Sequence, residues 1–109
     1  MTPRRGEIWW VSLDPTMGSE INKTRPCLIV SNNVLNERRR TVVVIPLSSS
    51  PRSNPPLLMP VVCGNRSAVA VMDQIRAVSK ERIQQRLGVT SPEDLECVEE
   101  ALKQILELS

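Results

Sequence analysis

With 109 residues, 40% of them hydrophobic and 24% charged, the chain has the composition of a soluble globular protein and the length of one domain, 1–109, with a single core. It has no Phe, Tyr or His, so Val, Ile, Leu, Met and Ala must fill the interior. Histidine-dependent chemistry is thereby excluded: Ser-His-Asp and Cys-His nucleophiles, histidine-pair ribonucleases and His-bearing zinc sites.

Glu7 to Leu13 reads as a first strand, ended by Asp14-Pro15. Side chains alternate faces along a strand, so Trp9 and Trp10 cannot both enter the core, and one is expected at a surface or interface. Thr16 to Asn22 is a loop containing Gly18-Ser19-Glu20. Lys23-Thr24-Arg25 then stands at the mouth of Cys27–Val30, a short apolar run predicted to be a buried strand. Pro26 has no donor for a ladder and is expected at the first residue of that strand or on an edge. Arg25 is thus fixed to the rigid end of a core strand, where a guanidinium can meet a phosphate in a held geometry. Taken alone, the pattern fits an ordinary basic residue at a strand start better. Asn32 to Asn36 is predicted to be a short helical turn with Asn at its start. Glu37-Arg38-Arg39-Arg40 follows as a solvated connection.

Thr41–Leu47 is β-branched throughout without polar alternation, which predicts a central strand. Ser48 to Pro56 is a long Ser/Pro-rich loop with Arg52 at its centre, of the kind that is functional or mobile. Leu57–Cys63 and Ser67–Met72 pair as a hairpin across Gly64-Asn65. Gln74–Val78 continues the sheet after Asp73, Lys80–Gln85 is a helical turn, and Arg86–Val89 adds a last short strand. Ser91-Pro92-Glu93-Asp94 signals a helix start, with Ser as N-cap, Pro at N1 and an acid at N3. Leu95, Val98, Ala101, Leu102, Ile105 and Leu106 recur on one face of a helix over Pro92–Glu107, about 24 Å long. Short strands followed by one terminal helix predict a small, strongly bent antiparallel sheet or barrel.

The net charge of +2 is unevenly placed: residues 1–52 carry eight Lys/Arg and four Asp/Glu, residues 53–109 six and eight. A basic front half suits a polyanion at one face. Cys27, Cys63 and Cys97 lie far apart with no CxxC pair, which predicts reduced, buried thiols in a cytoplasmic protein. Met1–Gly6 has no apolar stretch after its charges, and no run approaches the roughly 20 residues of a membrane span, so no membrane partner is expected.

Gly6-Glu7-Ile8-Trp9-Trp10-Val11, Asp14-Pro15-Thr16, Gly18-Ser19-Glu20, Lys23-Thr24-Arg25-Pro26, Val30-Ser31-Asn32, Pro46-Leu47-Ser48-Ser49, Asp73-Gln74-Ile75-Arg76 and Arg86-Leu87-Gly88 together resemble the MazF/PemK toxins. The resemblance spans nearly the whole chain. It implies an SH3-like barrel of the type shared with the CcdB gyrase poison, a homodimer, and an endoribonuclease that cuts single-stranded mRNA at specific sequences without a metal or other cofactor. It also implies a MazE-like antitoxin as partner. The family's key arginine falls on Arg25. Its hydroxyl residue, usually Thr, falls on Ser48, which keeps the hydroxyl and loses the methyl that would fix its rotamer.

RNA supplies its own nucleophile, the 2′-hydroxyl, so a protein without histidine need only align the reacting oxygens and stabilise the phosphoryl charge. Arg25 would act mainly as a transition-state clamp, since its pKa is too high for ready proton transfer, and Ser48 would donate to a phosphoryl oxygen. Without the resemblance, Ser48 reads equally as a turn cap. Candidates for contacting splayed bases are Glu20, Asn32, Asp73 and Gln74, with Ser49 beside Ser48 and with Lys23, Arg52 and Arg76 on phosphates. Asp73 and Arg76 could equally pair with each other. Two other readings compete: a CcdB-like toxin that binds a topoisomerase without catalysis, and a plain RNA-binding barrel. The first has no need of the Lys23–Arg25 and Ser48 constellation, and the second is short of stacking aromatics.

Overall fold

The computed structural model describes residues 2–13, 18, 23–49 and 52–108. Seven strands form one antiparallel sheet: β1 Glu7–Ser12, β2 Thr24–Ile29, β3 Thr41–Ser48, β4 Leu58–Cys63, β5 Arg66–Val71, β6 Arg76–Ser79 and β7 Ile83–Val89. A short helix α1, Asn33–Arg38, joins β2 to β3, and a longer one, α2, Pro92–Ile105, ends the fold. The strand order is β4-β5-β3-β2-β1-β7, with β6 also on β3. The result is a curled half-barrel carrying a C-terminal helix.

β3 is the hub because it changes partners along its length. Thr41 to Val44 pairs with β6, Val44 to Pro46 with β2, and Leu47 and Ser48 with β5. Both faces of this part of the sheet are buried. Ile8, Leu28, Ile45, Leu47 and Val61 pack on the concave side with Val98 and Ala101 of α2. Trp9, Val11, Cys27, Ile29 and Val44 pack on the other. That double burial explains the unbroken apolar run in β3, where a strand with one wet face would alternate. Each fully buried Leu or Ile contributes about 1.5–3 kcal/mol. The two tryptophans divide as alternation requires: Trp9 is buried and Trp10 half-exposed.

Several expectations are modified. Pro26 is the third residue of β2 and pairs with Trp10 on a strand flanked on both sides. The β2–β3 ladder begins only at Cys27, so towards β3 Pro26 occupies an edge position and its missing donor costs nothing. The helical turn after Ser79 is only the 3-10 segment Lys80–Arg82, and β7 is seven residues long, beginning at Ile83. Ser48 is the last residue of β3, not the first of the loop. Cys97 is exposed and Cys63 half-buried, leaving Cys27 as the buried thiol; all three are free. Leu106 is the C-cap of α2 and is largely exposed.

α2 begins as its sequence predicts, with Ser91 Oγ accepting from the Asp94 amide at 3.1 Å. The Asp94 carboxylate does not close a reciprocal box. It accepts from the Val62 amide of β4 at 3.1 Å, so the cap residue also fastens the helix to the sheet. Arg5 adds a second tie, donating to the Val30 carbonyl at 3.2 Å and pairing with Glu99 of α2. No described helix is long and apolar enough to cross a membrane.

Candidate active site

At one end of the concave face lies an open cleft of about 750 Å³, bounded by the ends of β1, β2 and β3 and by the β4–β5 hairpin. Lys23, Arg25, Ser48, Trp10, Asn65 and Arg66 are among its lining residues. It holds three cations and, among the described residues, no carboxylate. Such a cleft attracts an anion by its summed field before any specific contact forms.

Arg25 and Ser48 are brought together by strand register. In the β2–β3 ladder Cys27 stands opposite Pro46. The ladder ends at that pair, and Arg25 and Ser48, each two residues beyond it on its own strand, both line the cleft. There β3 leaves β2 and Ser48 pairs with Val69 of β5. The sheet opens at that point, which is why a cleft forms between groups that would otherwise be ladder neighbours. Ser49 also lines it.

The entry to β2 is held in an uncommon conformation. Lys23 has φ of 68°, a left-handed value that costs a side chain with a Cβ some strain. Its carbonyl is fixed by the Leu13 amide at 2.9 Å, which locks the bend that aims Lys23, Thr24 and Arg25 at the cleft. Arg25 is half-exposed, so its guanidinium keeps access to a ligand. Behind it, the Cys27 thiol donates to the Arg25 carbonyl at 3.6 Å. Burial pushes that thiol up to about 12, with the Arg76 charge opposing in part, so Cys27 is a neutral packing residue and no nucleophile. Among the described residues, no three His, Cys, Asp or Glu side chains gather as a metal would require.

The other residues named from sequence are dispersed. Asn32 is exposed and caps α1, its side chain accepting from the Leu35 amide at 2.9 Å. Arg52 is exposed in the β3–β4 connection, Asp73 and Gln74 belong to the 3-10 turn Met72–Gln74, and Arg76 starts β6 opposite Val44. None of these five lines the cleft, and no ion pair joins Asp73 to Arg76. Glu20 lies outside the described residues. Arg86, part of the Arg-Leu-Gly motif, pairs with Glu7 at 2.9 Å and so clasps β7 to β1, while its neighbour Leu87 lines the cleft.

Sequence reasoning missed Asn65 and Arg66 as cleft residues. Their hairpin was legible, but its position beside Ser48 depends on β5 pairing with the last residues of β3, a non-local contact that no short motif encodes.

The family model described as PemK-like, MazF-like toxin of type II toxin-antitoxin system matches residues 4–106. The endoribonuclease MazF9 of Mycobacterium tuberculosis is 38% identical over 114 residues, covering 96% of this chain and 97% of that protein. The endoribonuclease toxin MazF of Escherichia coli K12 is 29% identical over 98 residues, 88% of this chain and 86% of the other. MazF from Deinococcus radiodurans shares the fold with a TM-score of 0.85 at 23% identity, over 98% of both chains. An endoribonuclease from a mycobacterial species, solved in complex with its cognate antitoxin, has a TM-score of 0.81 at 26% identity, over 98% of this chain and 97% of that one. With nearly its full length matched in sequence and in fold, the chain belongs to the PemK-like, MazF-like toxin family of type II toxin–antitoxin systems.

Proposed function

We propose that the chain is the toxin of such a module, an endoribonuclease that cuts single-stranded mRNA at a specific sequence without a metal ion. The observation that carries this reading is the placement of Arg25 and Ser48 at one cationic cleft, on strand ends that fix both. The 2′-oxygen attacks the adjacent phosphorus and loses its proton, the bond from phosphorus to the 5′-oxygen breaks, and that oxygen takes up a proton. The products are a 2′,3′-cyclic phosphate and a 5′-hydroxyl. Arg25 clamps the charge that builds on the phosphoryl oxygens, and Ser48 donates to one of them. Lys23 and Ser49 hold the strand beside the scissile bond. Only RNA that runs on past the cleft meets Asn32, Arg52, Asp73, Gln74 or Arg76, so the scissile phosphate is held without them.

As a member of its family the chain acts as a homodimer in the cytoplasm, is one toxin domain over 1–109, and is neutralised by a MazE-like antitoxin. The antitoxin complex solved for a mycobacterial relative supports that partner class.

The test is incubation of the purified protein with long single-stranded RNA in EDTA. Discrete fragments ending in cyclic phosphate are expected, and a single deoxynucleotide at the mapped cut site should abolish cutting there. Persistent cleavage of that deoxy substrate defeats the 2′-hydroxyl mechanism. Inertness toward all RNA, with gyrase trapped on DNA instead, replaces the reading with that of a topoisomerase poison.

A further inference from the structure

The cleft has a wall that the ribonuclease reading leaves without a role: the tip of the β4–β5 hairpin. It is a two-residue turn, Gly64-Asn65, closed by the pair Cys63 and Arg66. Gly64 has φ of 62°, the positive value that the first central residue of a type II′ turn demands. A Cβ there would meet nothing within 4 Å, so glycine is required by backbone conformation and not by space. A turn this short holds the next residue, Arg66, in one place. By strand alternation Arg66 stands on the same face as Ala68, which lines the cleft, and Ala70, which is in the concave core. Arg66 is exposed, and among the described residues it makes no ion pair. The small side chains of Ser67 and Ala68 beside it leave that wall open.

Register sets how far Arg66 is from the chemistry. Ser48 stands opposite Val69, and Arg66 lies three residues further along β5, about 10 Å at strand rise. Three residues is an odd step, so alternation turns Arg66 to the face opposite that of Val69 and Ser48, and Arg66 and Ser48 reach the cleft from different sides. We propose that Arg66 is a substrate-positioning residue that binds a phosphate flanking the scissile one, making the β4–β5 hairpin tip the second wall of the RNA cleft. This rests on the ribonuclease reading and adds to it a subsite with a defined ligand, a phosphodiester one or more linkages away from the cut.

Two measurements on the full chain test the assignment. The first is steady-state cleavage of an oligomer built around the mapped cut site. Arg66→Ala should raise KM about tenfold, the scale of one charge-assisted contact, and leave kcat within about twofold, with Arg66→Lys recovering most of the loss. Among neutral methylphosphonates placed singly at each flanking linkage, one that weakens the wild type should bring no further penalty in Arg66→Ala. The second is equilibrium binding of a mixed-sequence single-stranded RNA 20-mer across a salt series. Arg66→Ala should lower the slope of log affinity against log salt by about 0.7 relative to the wild type. An unchanged KM and salt slope, or a fall in kcat with KM preserved, overturns the assignment. If the wild type cuts no RNA, the ribonuclease reading fails by itself, and the salt series still decides whether Arg66 contacts phosphate.

Discussion

The two ends of the β2–β3 pair are built from the same kind of strand and finished in opposite ways. At the α1 end the chain is closed by a neutral buried network, beside which Arg5 donates to the Val30 carbonyl. Asn36, fully buried, donates to the Ser31 carbonyl at 2.9 Å and accepts from the Ser31 hydroxyl, which in turn accepts from the Val43 amide at 3.0 Å. Val30 completes the ladder to the Val43 carbonyl at 3.0 Å. At the cleft end the ladder stops at Cys27, the backbone at Lys23 is left-handed, and cations and a hydroxyl face a wet opening. A buried polar network that is fully satisfied rigidifies, whereas an open strand end with fixed charges can bind. The Ser-Asn-Asn stretch and the Lys-Thr-Arg stretch are equally polar in sequence; one plugs the sheet and the other serves a ligand.

Exchanging damage between the two ends should separate these roles. Arg25→Ala is expected to lower kcat by about 10²–10³, the cost of removing one preorganised donor from a developing oxyanion, with melting temperature and circular dichroism unchanged. Arg25 is half-exposed, and its backbone pairing with Val11 and the Cys27 contact to its carbonyl do not depend on the side chain. Near-native rates would show that the clamp lies elsewhere. Asn36→Ala is expected to do the reverse. It strands the Ser31 hydroxyl and carbonyl inside the protein, at a cost of about 2–4 kcal/mol read by denaturant titration. Turnover per folded molecule should be unaffected. A loss of turnover in the remaining folded protein would mean the two ends are coupled through β3.

Ser48 sharpens the comparison at the cleft end. Removing its hydroxyl as Ser48→Ala should slow cleavage roughly tenfold to hundredfold, the worth of a hydrogen bond to a charged group of about 1.5–3 kcal/mol. Ser48→Thr keeps the donor and stiffens χ1, so it should match or exceed the wild-type rate. Equal rates for serine, alanine and threonine would reduce Ser48 to a strand-end residue.

Between the ends, Cys27 reports on how dry the shared core is. Its thiol has an ordinary value of 9.0 and is pushed up to about 12 by burial. Below pH 9 it is protonated both folded and unfolded, and its contribution is constant. Between pH 9 and 12 the unfolded chain releases the proton while the folded chain retains it, so stability falls as pH rises. The slope attributable to this thiol reaches about 1.4 kcal/mol per pH unit. Subtracting the profile of Cys27→Val from that of the wild type isolates it. A flat difference would mean that the thiol ionises in the folded state as readily as in water.

Much of this architecture could be read from the chain because its signals are local. The Ser91 cap with Pro92, the Gly64-Asn65 hairpin and the β-branched run of β3 each carry their own geometry within a few residues. The position of Arg25 at a strand mouth was legible for the same reason. Long-range pairing was not. Nothing near Ser48 shows that β5 will stand beside it, so Arg66 entered the cleft unannounced. β7 was predicted too short because Gln84, Gln85 and Arg86 are exposed, so its first half lacks the apolar alternation that marks a strand. Nor does sequence separate the cap Asn32 from the buried Asn36, four positions apart in the same turn.

That last ambiguity yields the smallest effect and the finest test. Asn32 was expected from sequence to start α1 and, through its amide, was a candidate to contact RNA bases. In the fold its side-chain oxygen is taken by the Leu35 amide, and the residue lies off the cleft. Asn32→Ala should therefore cost about 1 kcal/mol through the lost cap, and Asn32→Ser should restore most of that because serine caps almost as well. Serine cannot offer the two amide protons that Asn32 could present to a base edge. If the residue only caps, Asn32→Ser keeps both stability and the wild-type pattern of cut sites across a long RNA. If it reads a flanking nucleotide, the same variant keeps stability and broadens the pattern at one position. The satisfied cap and the distance from the cationic cleft favour an unchanged pattern, which would leave sequence reading to the open end of the sheet.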